Sequence, residues 1–146
     1  MNNQKSWDLL DIASDFIKPN TKILCLNFDD IIGLACNLSN VFLVNEGFDS
    51  KQIQEFAGIK FDLIISNKAN YNIKQIQSLL SSGGHFLSEQ LCSNDSYFKG
   101  ERKNFNLENE YFNFKKNNFK IVRYNQYYLK TSEKIEHSFY ILAKNL

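Results

Sequence analysis

The stretch that most restricts what this chain can fold into runs from Lys60 to Cys92, KFDLIISNKANYNIKQIQSLLSSGGHFLSEQLC. Phe61-Asp62-Leu63-Ile64-Ile65 is a short apolar run with branched side chains, the pattern of a strand covered on both faces. From Asn70 to Leu80 the apolar residues Ile73, Ile76, Leu79 and Leu80 recur at steps of three and four, so they share one helical face. Gly83-Gly84 then stops the helix, because glycine enters a left-handed conformation without a Cβ penalty. Phe86-Leu87 resumes an extended run. A strand, a helix and a second strand in this order form a crossover, and the two strands are parallel.

Ahead of this unit, Ser6 suits the N-cap of a helix from Trp7 to Ile17, whose Leu9, Ala13, Phe16 and Ile17 line one face and which Pro19 ends. Lys22 to Leu26 reads as a buried strand, Asp29 to Leu38 as a short helix carrying Ile31, Ile32, Leu34 and Ala35, and Val41 to Val44 as a second strand. Asp49 and Gln52 form a capping box before a helix with Ile53, Phe56 and Ala57, closed by Gly58. Beyond Cys92, the polar segment Ser93 to Asn104 reads as a loop. Leu107, Tyr111 and Phe114 line a helix that Asn117-Asn118 ends. Two strands follow, Phe119 to Tyr124 and His137 to Ala143, with the charged stretch Lys130 to Glu136 between them. No helix separates them, so they form an antiparallel hairpin at the sheet edge.

The order FDLIIS, a helix with IQSLL, then SGGHFLSEQ resembles the fourth strand, the following helix and the fifth strand of class I S-adenosylmethionine (SAM) dependent methyltransferases. Ser81-Ser82-Gly83-Gly84 stands where that family has a Lys-Pro-Gly-Gly bend. The family also ends in a hairpin. The resemblance implies an α/β, Rossmann-like methyltransferase fold: a mostly parallel sheet with a C-terminal antiparallel hairpin, in a single domain spanning residues 1–146. One piece departs from the pattern. Only fifteen residues lie between Glu46 and Asp62, room for one helix and no strand, so the family's third strand is expected to be missing. That strand lies at a sheet edge; its loss spares the middle of the sheet and removes a wall of the cofactor pocket.

A Rossmann-like sheet binds its ligand at the carboxyl ends of its strands. In the family the first strand runs into an acidic residue followed by alternating glycines; the matching positions here, Cys25 to Ile31, read CLNFDDI and contain no glycine. Phe28 and Ile31 crowd the space that the methionine part of the cofactor fills in the family. Asn27 and Asp29 remain able to bond a ligand, and their types tolerate unusual backbone angles. The plainer reading, which the residue types favour, is a turn and a helix cap. Glu46 follows the second strand about 20 residues past the end of the first, where an acidic side chain pairs with ribose hydroxyls. A solvated turn glutamate is the alternative. Ser66 and Asn67 occupy the place where the resemblance puts substrate-facing groups. They lack the Asn/Asp-Pro-Pro-aromatic signature, so base or amide methylation gains no support. SAM is therefore the implied cofactor, with no cofactor at all as the alternative. No residue is assigned to catalysis, because methyl transfer works largely by alignment.

Other chemistries find less footing. A formal net charge of +1 gives no field that calls for nucleic acid or membrane, though it leaves room for local patches. No apolar run approaches the ~20 residues that span a bilayer, and the N-terminus lacks a secretory core, so the cytoplasm is the expected location. Cys25, Cys36 and Cys92 contain no CxxC and read as reduced thiols. His85 and His137 have no metal-ligand spacing, so no metal is expected. Cys92, Asp95 and His85 do not form a nucleophile set, because strand alternation puts residues 85 and 92 on opposite faces. Lys115-Lys116 among Phe112, Phe114 and Phe119 reads first as a helix with a core face and a solvated face. Two functional classes stay open. One is a divergent SAM-dependent methyltransferase with weakened or lost cofactor binding, acting on a small molecule or protein that the sequence does not specify. The other is an inactive methyltransferase-like binding or assembly module, in which the second strand's edge extends a sheet with a partner or a second copy.

Overall fold

The computed structural model describes residues 9, 11–27, 41–44, 55–56, 58–68, 71–92, 106–130 and 135–146. Six strands, β1 (Ile23–Leu26), β2 (Val41–Val44), β3 (Phe61–Asn67), β4 (Leu80–Leu91), β5 (Phe119–Lys130) and β6 (Ile135–Asn145), make one sheet in the order β2-β1-β3-β4-β6-β5. β1 runs parallel to β2 and β3, and β3 parallel to β4. β6 is antiparallel to both β4 and β5. The sheet is thus mostly parallel and closes in an antiparallel hairpin, as the sequence predicts. Among the described residues no strand lies beyond β2.

Side chains alternate between two buried faces. Leu24, Leu26, Ile64, Phe86, Phe139 and Ile141 point to the first, covered by α1 (Ile73–Leu79) and α2 (Leu107–Lys116). There Phe114 of α2 stacks on Phe86 with ring centroids 5.6 Å apart. Ile23, Cys25, Leu63, Ile65, Leu87 and Leu142 point to the second face, against Leu9, Ala13, Phe16 and Ile17 of the N-terminal segment. That segment is helical at residues 11–13 and tightens into a 3₁₀ turn at Ser14–Phe16 ahead of Pro19. All four β1 side chains are buried, as a strand covered on both faces requires. Cys25 and Cys92 are free and buried, and burial pushes the Cys25 thiol up to about 12. His85 stacks on Phe16 at 4.0 Å, on the second face, while Cys92 packs into the first. The two therefore diverge as strand alternation predicts.

Several boundaries differ from the sequence reading. Asn72 caps α1, its Oδ1 accepting from the Lys74 and Gln75 amides at 2.9 and 3.4 Å, so the helix starts at Ile73 rather than Asn70. It ends at Leu79, and Leu80 is already extended and paired with Phe61. Gly83-Gly84 does not stop the helix; it lies inside β4, where the chain advances five residues, Leu80 to His85, for two on β3. Gly83 takes φ +80° in this bulge, a conformation that other side chains rarely adopt. The hairpin strands also run longer than expected, since the pairing extends through Tyr128↔His137 to Lys130↔Ile135. Ser6, Asp29–Leu38 with Cys36, the Asp49 and Gln52 box and the loop Ser93–Asn104 lie outside the described residues.

Candidate functional site

The parallel strands β1, β2 and β3 finish side by side, at the end of the sheet where folds of this kind hold ligands. Asn27 leaves the sheet at once, in the left-handed region at φ 64°. Its amide donates to the Val44 carbonyl of β2 at 2.6 Å, and its side-chain Nδ2 donates to the Asn67 carbonyl of β3 at 2.8 Å. Asn67 Nδ2 returns a bond to the Asn27 carbonyl at 3.4 Å. Once the backbone has turned away, the two carboxamides carry the β1–β3 ladder one step further. Three tips are thereby tied together.

Ser66 lies one residue below this tie, paired in register with Leu26 and Ser88. Its side chain is fully buried, and its Oγ has no hydrogen-bond partner among the described residues. A buried hydroxyl left in that state costs about 1–3 kcal/mol. Of the residues singled out in the sequence, Asn27, Ser66 and Asn67 thus come together at the strand tips. Asp29 and Glu46 lie outside the described residues.

The same end of the sheet holds groups that the sequence reading missed. Lys68 follows β3 at φ 57°, a left-handed conformation that a lysine adopts only under constraint, and its amide donates to the Glu89 carbonyl at 2.9 Å. Its ammonium lies 3.8 Å from the carboxylate of Glu89, whose side chain is wholly buried. A cation at that distance offsets part of the cost of burying the acid. On the first face, Ser88 Oγ donates to Tyr71 Oη at 3.1 Å, and Tyr71 Oη donates to Glu110 Oε2 at 2.8 Å. This chain ties β4 and the entry to α1 onto the first turn of α2. One signal was present in the sequence: a glutamate inside the apolar run FLSEQL is a charge that a buried strand must compensate. Its partner Lys68 lies 21 positions earlier, and only the β3–β4 register brings them together.

A hollow of about 330 Å³ opens at the opposite, amino end of the strands, lined in part by Asp15, Phe16, Asp62, Gly83 and His85. Its polar walls largely bond one another. Asp62 accepts from the Lys22 amide at 3.1 Å and from Ser81 Oγ at 3.2 Å. We assign the site to the carboxyl tips instead, because there a buried polar group is left over. Among the described residues no group of His, Cys, Asp and Glu could hold a metal ion.

No family model matches the chain, and no curated protein matches it by sequence. Solved structures do. A SAM-dependent methyltransferase of Methanosarcina mazei is similar at TM-score 0.62 and 14% identity, over 92% of this chain and 97% of that one. The N-methyltransferase NodS of Bradyrhizobium japonicum, in complex with S-adenosylhomocysteine, is similar at TM-score 0.59 and 15% identity, over 98% and 86%. The Burkholderia thailandensis 1,6-didemethyltoxoflavin-N1-methyltransferase is similar at TM-score 0.60 and 14% identity, over 97% and 76%. At such identities the likeness is one of fold. The chain has the Rossmann-like fold of SAM-dependent methyltransferases.

Proposed function

We propose that this chain is a divergent methyltransferase-like protein that takes a nucleoside-type ligand, SAM or its demethylated product, weakly at the tips of β1, β2 and β3. The observation that carries this reading is the orphaned Ser66 hydroxyl beside the three tied tips, a polar group that a ligand amine or hydroxyl would satisfy. Solved structures of the same fold hold S-adenosylhomocysteine, which supports the ligand class. In this assignment Glu46 meets the ribose, and Asn27, Asp29, Ser66 and Asn67 meet the amino-acid part or an acceptor.

The tips nonetheless fit the cofactor poorly. The turn after β1 has no glycine between Cys25 and Ile31, and the Asn27 and Asn67 carboxamides already occupy each other's carbonyls. The sequence there lacks the glycines that let backbone approach a ligand closely. Binding is the role given to these residues, and no methyl-transfer step is assigned to them. The free, buried thiols of Cys25 and Cys92 agree with a reducing compartment such as the cytoplasm. Among the described residues no helix is long and apolar enough to cross a membrane.

A second reading is favoured by the same Asn27–Asn67 tie: a module that has given up the cofactor and pairs the edge of β2, which no strand covers among the described residues, with a partner. Thermal unfolding with added SAM and S-adenosylhomocysteine separates the two readings. Stabilisation grows as RT ln(1 + [L]/Kd), so a weak site gives a Tm rise that climbs only at millimolar ligand and is abolished in Glu46→Ala. A flat response to both compounds removes the cofactor reading. A dimer in sedimentation would then favour the module.

A further inference from the structure

Along the hairpin, exposed aromatic rings run in a row on the first face of the sheet. Tyr124 is 53% and Tyr128 69% exposed, and Phe112 on α2 is 60% exposed. Tyr111 joins them, its ring 5.4 Å from Tyr124 edge-on and 5.8 Å from Phe112, with Lys115 Nζ 5.6 Å from its centroid. Tyr128 stacks on His137 at 4.5 Å and 17°. Tyr124 and Tyr128 are four residues apart on one strand face, roughly 13 Å, with the exposed amide of Gln126 between them. Aliphatic core is absent from this row.

Charge decides what such a row can meet. From Leu107 to Leu146 the chain carries seven basic and four acidic residues, whereas the part before Leu107 carries ten and twelve, so a near-neutral total hides a basic C-terminal quarter. Lys115 and Lys116 sit on α2 beside the rings, whereas Lys120 and Arg123 project from β5 to the second face, where Arg123 lies 5.9 Å from the Tyr140 ring centroid. Protein interface cores are depleted in lysine, whereas single-stranded polynucleotides pair phosphates with cations and stack bases on open rings. We propose that the first face of the β5–β6 hairpin, with α2, is a binding shelf for single-stranded polynucleotide, with Tyr124 and Tyr128 as the stacking rings and Lys115 and Lys116 as the cations that meet phosphates. The shelf does not depend on cofactor binding at the strand tips.

Fluorescence anisotropy of labelled oligouridylate and oligothymidylate, each about ten nucleotides long, tests it on the full chain against a duplex of the same length. Both single strands bind and the duplex competes poorly; a preference for one of the two tells RNA from DNA. Tyr124→Ala and Tyr128→Ala each weaken binding about tenfold, whereas Tyr128→Phe, which keeps the ring, does not. Lys115→Gln with Lys116→Gln lowers the slope of log K against log salt by roughly 0.7 for each phosphate left without its cation. Absence of single-strand binding overturns the proposal, as does duplex binding of equal strength that the tyrosine substitutions leave unchanged. A dimer in sedimentation that Tyr128→Ala dissociates also overturns it, because the rings then belong to a second copy.

Discussion

The two ends of the parallel sheet treat their polar groups differently. At the amino end, Asp62 takes bonds from Lys22 and Ser81, and the Lys22 carbonyl takes the amides of Asp62 and Leu63. Asn145 there donates to the Ser81 carbonyl and accepts from Gln77, which also reaches the Asn117 carbonyl at 2.6 Å. The bulge is pinned from both neighbouring strands. At the carboxyl end, two successive tips leave the sheet through left-handed Asn27 and Lys68, a glutamate is buried, and Ser66 Oγ has no partner among the described residues. Folding alone rewards the first arrangement and penalises the second. The contrast teaches where to look: unmet demand at one end makes it the candidate place for a ligand, while the hollow at the other end is walled in part by groups that bond one another.

Substitutions at each end should break this contrast if it is wrong. Gly84→Val gives the largest effect. Even a Cβ there would lie 3.0 Å from the Ser81 carbonyl oxygen and 3.2 Å from a Leu80 methyl, so overpacking should cost about 1–3 kcal/mol in denaturant unfolding. Next comes a pair of opposite sign. Asp62→Ala should destabilise by about 1 kcal/mol because it leaves the Lys22 amide and the Ser81 hydroxyl without their acceptor. Ser66→Ala should leave stability unchanged or raise it by up to about 1 kcal/mol while reducing any Tm shift caused by SAM. Equal destabilisation by both would erase the difference between the two ends.

The smallest effect is one of pH. Burial, and then the Lys144 ammonium, hold His85 below its ordinary pKa. The unfolded chain therefore binds the proton more readily. Stability is fully present above the ordinary value of about 6.5 and is lost as the pH falls from there through the folded-state pKa. Tm followed from pH 7.5 down to about 5 should drop less steeply in His85→Gln than in the parent chain. Matching slopes would mean that the amino-end hollow places no electrostatic demand on the ring.

Most of the sheet was legible because its evidence is local. The apolar runs of β1 and β3, the three-and-four spacing of Ile73, Ile76 and Leu79, and the absence of a helix between the last two strands each correspond to one element. Gly83-Gly84 was misread because a helix stop and a strand bulge ask the same thing of the backbone, and only the pairing of Leu80 with Phe61 tells them apart. The outer half of β5 was invisible for a different reason: Tyr124 to Tyr128 is exposed or half-buried throughout, so no alternation marks it. At the site, Ser66 and Asn67 were legible as the end of a strand. Lys68 with Glu89, and Tyr71 with Ser88 and Glu110, were not, because each depends on register between segments far apart in the chain.

A twelve-residue outer strand bearing open rings, with no strand beyond it among the described residues, is the kind of border on which misassembly starts, since unpaired edge amides and carbonyls template other chains. Here the break in register between Ile121 and Arg123 bends that border, and Lys120 and Arg123 set like charges against any approaching copy. Solubility then rests on those two cations. Neutralising them would expose the chain to aggregation.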